Sequence, residues 1–232
     1  QAWKRNYPAA LFKAHCMETE LAVKTIQSKG YAHTIEAYVQ AGLLDEHSVL
    51  IHNCKASEEA IQLAAQNHVR MVNCPISNLK SQNGVSPLKI MLDNGLGTDW
   101  GRLQMMDGMK LEYLLLRDQH VPNPAQTVWK MATEWGARCS GWPQTGILKP
   151  GMQADLIFLR LHEPDFQPLI STSDFSDVLQ NLIFDGRSEW IEHVMVAGNW
   201  KVKNRQLCGL DETQLIAKQR QLMKKLVAET LK

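Results

Sequence analysis

His15-Cys16-Met17-Glu18-Thr19 sets an imidazole and a carboxylate three residues apart, directly after the short apolar run of residues 9–14. Zinc accepts a neutral imidazole nitrogen, and a catalytic site keeps one position open for a water whose pKa falls towards ~7. A nearby Glu can carry the proton from that water to a leaving group. H-x-x-E alone is a short pattern that also occurs without a metal. His52 follows the apolar Val49-Leu50-Ile51, where it can be a ligand or a satisfied core histidine. Asp99 closes Gly95-Leu96-Gly97-Thr98-Asp99, as a ligand or as an Asx turn or helix cap. What joins the three is position, because each ends a strand-like run.

Those runs need elements to hold them. Residues 9–14, 48–51 and 69–73 read as short buried strands, and 19–28 and 57–65 as helices, the latter with Ser57 as N-cap. Residues 87–92 read as helical and 94–97 as a strand leading to Asp99. Strands alternating with helices at this pace predict βα units and a parallel sheet. Two longer amphipathic helices are expected over 105–117 and 124–138. Thereafter 154–159 and 193–202 are strand-like, the second turning near Gly198-Asn199 as a hairpin does. Residues 163–177 read as a loop, and 211–232 as an amphipathic helix capped by Asp211. In a βα barrel the strand ends converge on one face, where active sites sit.

Composition bounds the partners. The 232 residues carry a formal net charge of +1, with 44% hydrophobic and 21% charged residues, an ordinary globular balance without a basic stripe. A small-molecule substrate is expected, and neither nucleic acid nor a membrane. The five cysteines, Cys16, Cys54, Cys74, Cys139 and Cys208, are widely spaced and form no C-x-x-C. They read as buried thiols in a reducing cytoplasm rather than as a disulfide framework or thiolate site. The start at Gln1, without an initiator Met, reads as a chain entered in its middle.

Taken in order, these residues resemble the amidohydrolase superfamily. The motifs are His15…Glu18-Thr19, Gly42-Leu-Leu-Asp-Glu46…His52, Cys74-Pro-x-Ser77-Asn78-Leu-Lys80…Gly84 and Gly97-Thr98-Asp99. Ala132-Thr133…Gly136-Ala137-Arg138…Gly146-x-Leu148-x-Pro150-Gly151-x-x-Ala154-Asp155-Leu156 is similar to that family's return from barrel to β-sandwich. The resemblance runs over about residues 9–208 and favours the branch of cyclic-amidine deaminases and triazine hydrolases. It implies an α/β fold: a partial TIM (β/α)8 barrel, strands five to eight, over 1–145. A C-terminal β-sandwich segment over 146–208 and a terminal helix over 209–232 complete the expected division.

The resemblance also implies roles. His15 and Asp99 are expected as metal ligands, with His52 joining them in dinuclear relatives. Glu18, His52 and Asp99 are expected as catalytic residues: Glu18 shuttling protons, His52 polarising the substrate or water, and Asp99 taking a proton from the water. Ser77 and Asn78 are expected in the substrate pocket, with Trp100 as an aromatic wall and Arg102 and Met105 nearby. The implied cofactor is a divalent metal, zinc first and iron second, and the intact form is expected to be a homo-oligomer. The implied reaction is hydrolysis of a C–N bond in a cyclic amidine or aminated heterocycle (purine, nucleoside or triazine-like).

Two departures stand out. The family's opening H-x-H pair occurs nowhere in these residues, and the segment from Asn94 to Asp99 is shorter than the family's strand. The competing expectation is therefore a catalytically inactive fragment or truncated product. Without strands one to four, the inner faces at Leu11, Leu50 and Val72 are expected to lie open. His33, His47, His68, His120, His162 and His193 match no motif. A dinucleotide fingerprint at Gly95-x-Gly97-x-x-x-Gly101 fails on spacing, and the cytidine-deaminase pattern H-x-E…P-C-x-x-C is absent.

Overall fold

The computed structural model describes residues 2–91, 93–100, 104–172 and 177–230. They divide into two compact units, one of residues 1–152 and 164–188, the other of 153–163 and 189–232. Leu92, Arg102 and residues 231–232, named among the expectations above, lie outside the described residues.

The first unit opens with helix α1 (Ala2–Asn6) and then lays down a four-stranded sheet in the order β1-β2-β3-β4, parallel throughout. Its strands are β1 (Phe12–Cys16), β2 (Ser48–His52), β3 (Arg70–Asn73) and β4 (Gly95–Leu96). Cys16 stands opposite His52, Ile51 opposite Val72 and Asn73 opposite Leu96, so all four strands finish at one edge. That edge carries the candidate site.

Helices α2 (Glu20–Gln27), α3 (Thr34–Gln40) and α4 (Glu58–Gln66) follow β1 and β2. Thr19 caps α2 by accepting from Ala22 N (3.1 Å), and Ser57 caps α4 by accepting from Ala60 N (3.3 Å). Each cap satisfies a donor the first helical turn leaves orphaned. Cys16, Ile35, Leu50, Ala60, Ile61, Ala64 and Met71 form a buried cluster with these helices. Leu50, expected on an open inner face, is 0% exposed because it belongs to this cluster, while Leu11 and Val72 are partly buried.

Helix α5 (Pro75–Lys80), which begins at its proline, follows β3. Residues 87–91 are a single turn rather than the expected helix. Ile90 N and Met91 N both donate to Pro87 O (3.1 and 3.2 Å), and Asn94 Nδ2 then claims Met91 O (2.6 Å). After α6 (Met105–Asp118), the expected helix over 124–138 is two, α7 (Pro124–Ala132) and α8 (Glu134–Ser140). They part at Thr133 (φ −125°, ψ −96°), whose hydroxyl bonds back to Trp129 O at 2.6 Å. Residues 163–177 hold a 3-10 turn at Pro164–Phe166, and helix α9 (Val178–Asp185) was not foreseen.

The second unit is an antiparallel sheet in the order β5-β6-β7-β8, made of β5 (Leu156–Leu159), β6 (Ile191–Val196), β7 (Asn199–Lys203) and β8 (Gln206–Leu207). Phe158, His193 and Trp200 stack on it with ring centroids 5.5–5.8 Å apart. Among the described residues this unit holds one sheet, not the two of a full sandwich. Helix α10 (Glu212–Thr230) follows, with Asp211 Oδ1 accepting from Gln214 N at 3.0 Å.

One glycine bears directly on the site edge. A Cβ at Gly97 would stand 2.7 Å from Cys74 Sγ and 3.0 Å from Val72 Cγ1. Gly97→Ala should therefore overpack the β3–β4 junction and cost about 1–3 kcal/mol. A urea midpoint that falls at unchanged m-value is the expected result; an unmoved midpoint would show that the junction yields freely.

Candidate metal centre

His15, His52 and Asp99 come together at the C-terminal edge of the parallel sheet. One donor atom from each lies within 4.8 Å of the other two. The imidazole centroids of His15 and His52 are 4.6 Å apart, with planes at 69°. His52 (φ 76°), Asn53 (φ 56°), Met17 (φ 46°) and Asp99 (φ 53°) all take left-handed conformations. Such conformations are uncommon for side-chain-bearing residues and cluster at functional sites.

Glu18 lies between the two imidazoles. Its Oε2 is 3.2 Å from His15 Nδ1 and 3.6 Å from His52 Nε2. Its other oxygen, Oε1, accepts from Asn83 Nδ2 at 2.9 Å. One carboxylate oxygen is thus anchored and the other presented to the histidines. Side-chain exposure falls from 61% at His15 through 23% at Glu18 to 0% at His52, so the group opens outward on the His15 side.

His52 shows what the cluster lacks. Its Nδ1 is 2.7 Å from Asn78 Oδ1, while Asn78 Nδ2 donates to Asn73 Oδ1 at 2.9 Å. With the Asn78 amide so oriented, Nδ1 carries the imidazole proton and Nε2 presents a lone pair. That Nε2 is fully buried and has no hydrogen-bond partner. A lone pair facing a carboxylate oxygen and a second imidazole is satisfied by a cation or a proton between them. The donor set, two imidazoles and a carboxylate, suits zinc or iron. The residues present therefore fit a divalent metal.

Asp99 is held from the side by Ser77, whose hydroxyl donates to Asp99 Oδ2. Ser77 and Asn78, expected as pocket lining, are each 1% exposed and spend their polar groups on Asp99 and on His52 and Asn73. Trp100 is 54% exposed, with Lys80 Nζ 4.1 Å from its ring centroid. Met105 starts α6. Burial foremost, and then Asp99, push the thiol of nearby Cys74 up to about 12.

Of the unmatched histidines, His33 caps α3 by accepting from Glu36 N, and His193 accepts from Asn204 N. A second cluster, Asp45, Glu46 and His47, also gathers donor atoms within 4.8 Å. There Asp45 is already bound to Lys4 Nζ (2.7 Å), His47 N and Ser48 Oγ, which leaves it an ordinary ion-pair site. Sequence reasoning missed Asn83, Asn73 and Glu112. Only the spacing of Asn73, Asn78 and Asn83 along one short segment could have flagged the first two.

The profile of the amidohydrolase family matches residues 6–201. A 5-methylthioadenosine/S-adenosylhomocysteine deaminase of Pyrococcus furiosus is 30% identical over 225 residues, covering 92% of this chain and 51% of that protein. A deaminase of the same description from Pelotomaculum thermopropionicum is 29% identical over 225 residues, covering 92% and 50%. Among solved structures, an adenosine deaminase from Xanthomonas campestris with bound zinc superposes with a TM-score of 0.86 at 26% identity. It covers 94% of this chain and 51% of that one. Escherichia coli guanine deaminase superposes with a TM-score of 0.78 at 22% identity, covering 87% and 50%, which speaks for the fold alone. The chain spans about half the length of the curated relatives it matches.

Proposed function

The chain belongs to the amidohydrolase family, and from that membership we propose that the protein is a metal-dependent hydrolase of C–N bonds. Its substrate class is an aminated heterocycle or cyclic amidine, of which a purine or its nucleoside is favoured by the names of the relatives. Water replaces the exocyclic amino group, which leaves as ammonia, and the ring carbon becomes a carbonyl. The single observation that carries this reading is the buried, unpartnered Nε2 of His52 beside Glu18, His15 and Asp99.

In this reading His15, His52 and Asp99 hold the divalent metal, zinc in the first place and iron in the second. A metal bound there would acidify a water and polarise the substrate. Glu18 takes a proton on Oε2 and delivers it to the departing nitrogen, while Asn83 keeps Oε1 in place. Asp99, steadied by Ser77, accepts the second proton of the water and gives it up to the ring nitrogen, which completes the ring amide and restores the carboxylate. Ser77 and Asn78 act by holding donors, and the exposed Trp100 offers a face for a flat heterocycle. Strands β1 to β4 correspond, in this reading, to strands five to eight of a (β/α)8 barrel.

A second reading is favoured by one observation. No H-x-H pair occurs in these 232 residues, so residues 1–232 by themselves offer three donors, one of them largely exposed. On that reading they bind metal weakly and turn nothing over alone.

The test is ammonia release by the protein at the length its gene encodes. Adenosine-type nucleosides, guanine and an amino-triazine serve as substrates, before and after removal of metal with a chelator. Release from at least one of them, lost on chelation and regained with zinc, is expected. A zinc-loaded, folded protein that releases ammonia from none would contradict the proposal.

A further inference from the structure

Behind His52 runs a chain of buried polar side chains that ends on a carboxyl group the proposed chemistry does not use. Glu112, on α6, is 0% exposed. Its Oε2 accepts from Asn73 Nδ2 at 2.6 Å; Asn73 Oδ1 accepts from Asn78 Nδ2 at 2.9 Å; and Asn78 Oδ1 meets His52 Nδ1 at 2.7 Å. Asn73, Asn78 and His52 are each 1% exposed or less. The chain therefore runs from α6, across the end of β3 and through α5, to the end of β2.

Every link has a direction. An Asn has one accepting and one donating end, and a neutral imidazole has one N–H and one lone pair. If the nitrogen of Asn73 faces Glu112, its oxygen must face Asn78. The nitrogen of Asn78 is then spent on Asn73, its oxygen faces His52, and the proton sits on Nδ1. Reversing Asn73 would reverse Asn78 and place the proton on Nε2, where it would block the lone pair aimed at the metal donors. At the His52 end Nε2 makes no hydrogen bond, and the Glu18 carboxylate 3.6 Å away would by itself draw a proton towards Nε2, so Nδ1–H needs the chain behind it. Two groups act on the amides from behind: Ser86, whose Oγ lies 2.8 Å from Asn73 Oδ1 and 2.6 Å from His52 O, and Glu112 at the far end.

We infer that Glu112 is a positioning residue that sets the tautomer of His52 through Asn73 and Asn78. A carboxyl there is expensive as a structural filler. It is fully buried, its Oε1 has no partner, and burial pushes its pKa up to about 8. Oε2 accepts from Asn73 Nδ2 and so holds that amide in one orientation for as long as this oxygen itself carries no proton. In this role Glu112 acts only through Asn73 and Asn78. Partners of this outer kind orient a metal-binding imidazole, and their loss costs roughly 10–100-fold in metal affinity or activity.

The inference rests on reading His52 as a metal donor, so its test reads His52 directly. The 15N shifts of the His52 ring, recorded in the metal-free protein at the length its gene encodes, report which nitrogen carries the proton. The unaltered protein and Glu112→Gln, which keeps a carbonyl oxygen for Asn73, should both show Nδ1–H. Glu112→Met removes the acceptor, and Asn73→Ser keeps the carboxyl group but removes the amide that joins it to Asn78. Each should give a mixture of the two tautomers and weaken zinc binding roughly 10–100-fold. A tautomer shift without zinc binding in any form would support the relay and sink the metal reading instead. The inference is overturned if either breaking variant, folded, keeps His52 wholly as Nδ1–H with unchanged zinc affinity. It is equally overturned by an Nε2–H tautomer in the unaltered protein or in Glu112→Gln.

Discussion

Glu18→Gln is expected to remove roughly 10²–10⁴ of kcat while leaving metal content unchanged, the usual worth of a positioned general acid–base. The substitution preserves shape and most of the local bonding. Gln can still accept from Asn83 Nδ2 through its carbonyl oxygen, as Glu18 Oε1 does now. What it cannot do is take up a proton on the atom that faces His15 and His52 at 3.2 and 3.6 Å. The loss should fall on kcat rather than KM, because proton transfer is needed in the transition state and not for binding. A variant with near-normal turnover would remove Glu18 from the mechanism. A variant that lost metal in proportion to activity would make it a ligand instead.

His15→Ala and Asp99→Ala should each strip most of the metal from the protein, as read by elemental analysis of protein passed through metal-free buffer. Catalytic zinc is usually held by three protein ligands and a water, so removing one donor of a small set costs the site a large part of its affinity. Asp99 supplies the anionic oxygen of the set, and His15 the donor on the open side. His52→Ala should lower metal content as well as kcat, because its Nε2 is the third donor of the same set. Full metal retention in both His15→Ala and Asp99→Ala would place the metal elsewhere.

Much of this site could be read before any coordinates. Period and punctuation marked β1, β2 and β3, and Ser57 and Asp211 announced their helices by chemistry local to the chain. His15, His52 and Asp99 could be grouped from the sequence because each lies at or just beyond the C-terminal end of a strand, and parallel strands with matched register carry those ends to one edge. What escaped depends on contacts between distant residues. Glu112 reads as one more polar position on an amphipathic helix until it is found against Asn73, 39 residues away. Asn83 is an ordinary loop residue until its amide meets Glu18, 65 residues before it. Residues 87–91 carry helix-forming types, but Asn94 takes Met91 O and ends the turn. The break at Thr133 likewise comes from a side chain competing for its own helix backbone, which propensity alone does not show.

The measurement closest to the central claim is anomalous diffraction at the zinc absorption edge from crystals of the zinc-loaded protein at the length its gene encodes. The account predicts a peak within bonding distance of His52 Nε2, the atom now buried without a partner, and of His15 and Asp99. A peak at Asp45–Glu46–His47 instead, or none at the sheet edge after full zinc loading, would contradict it.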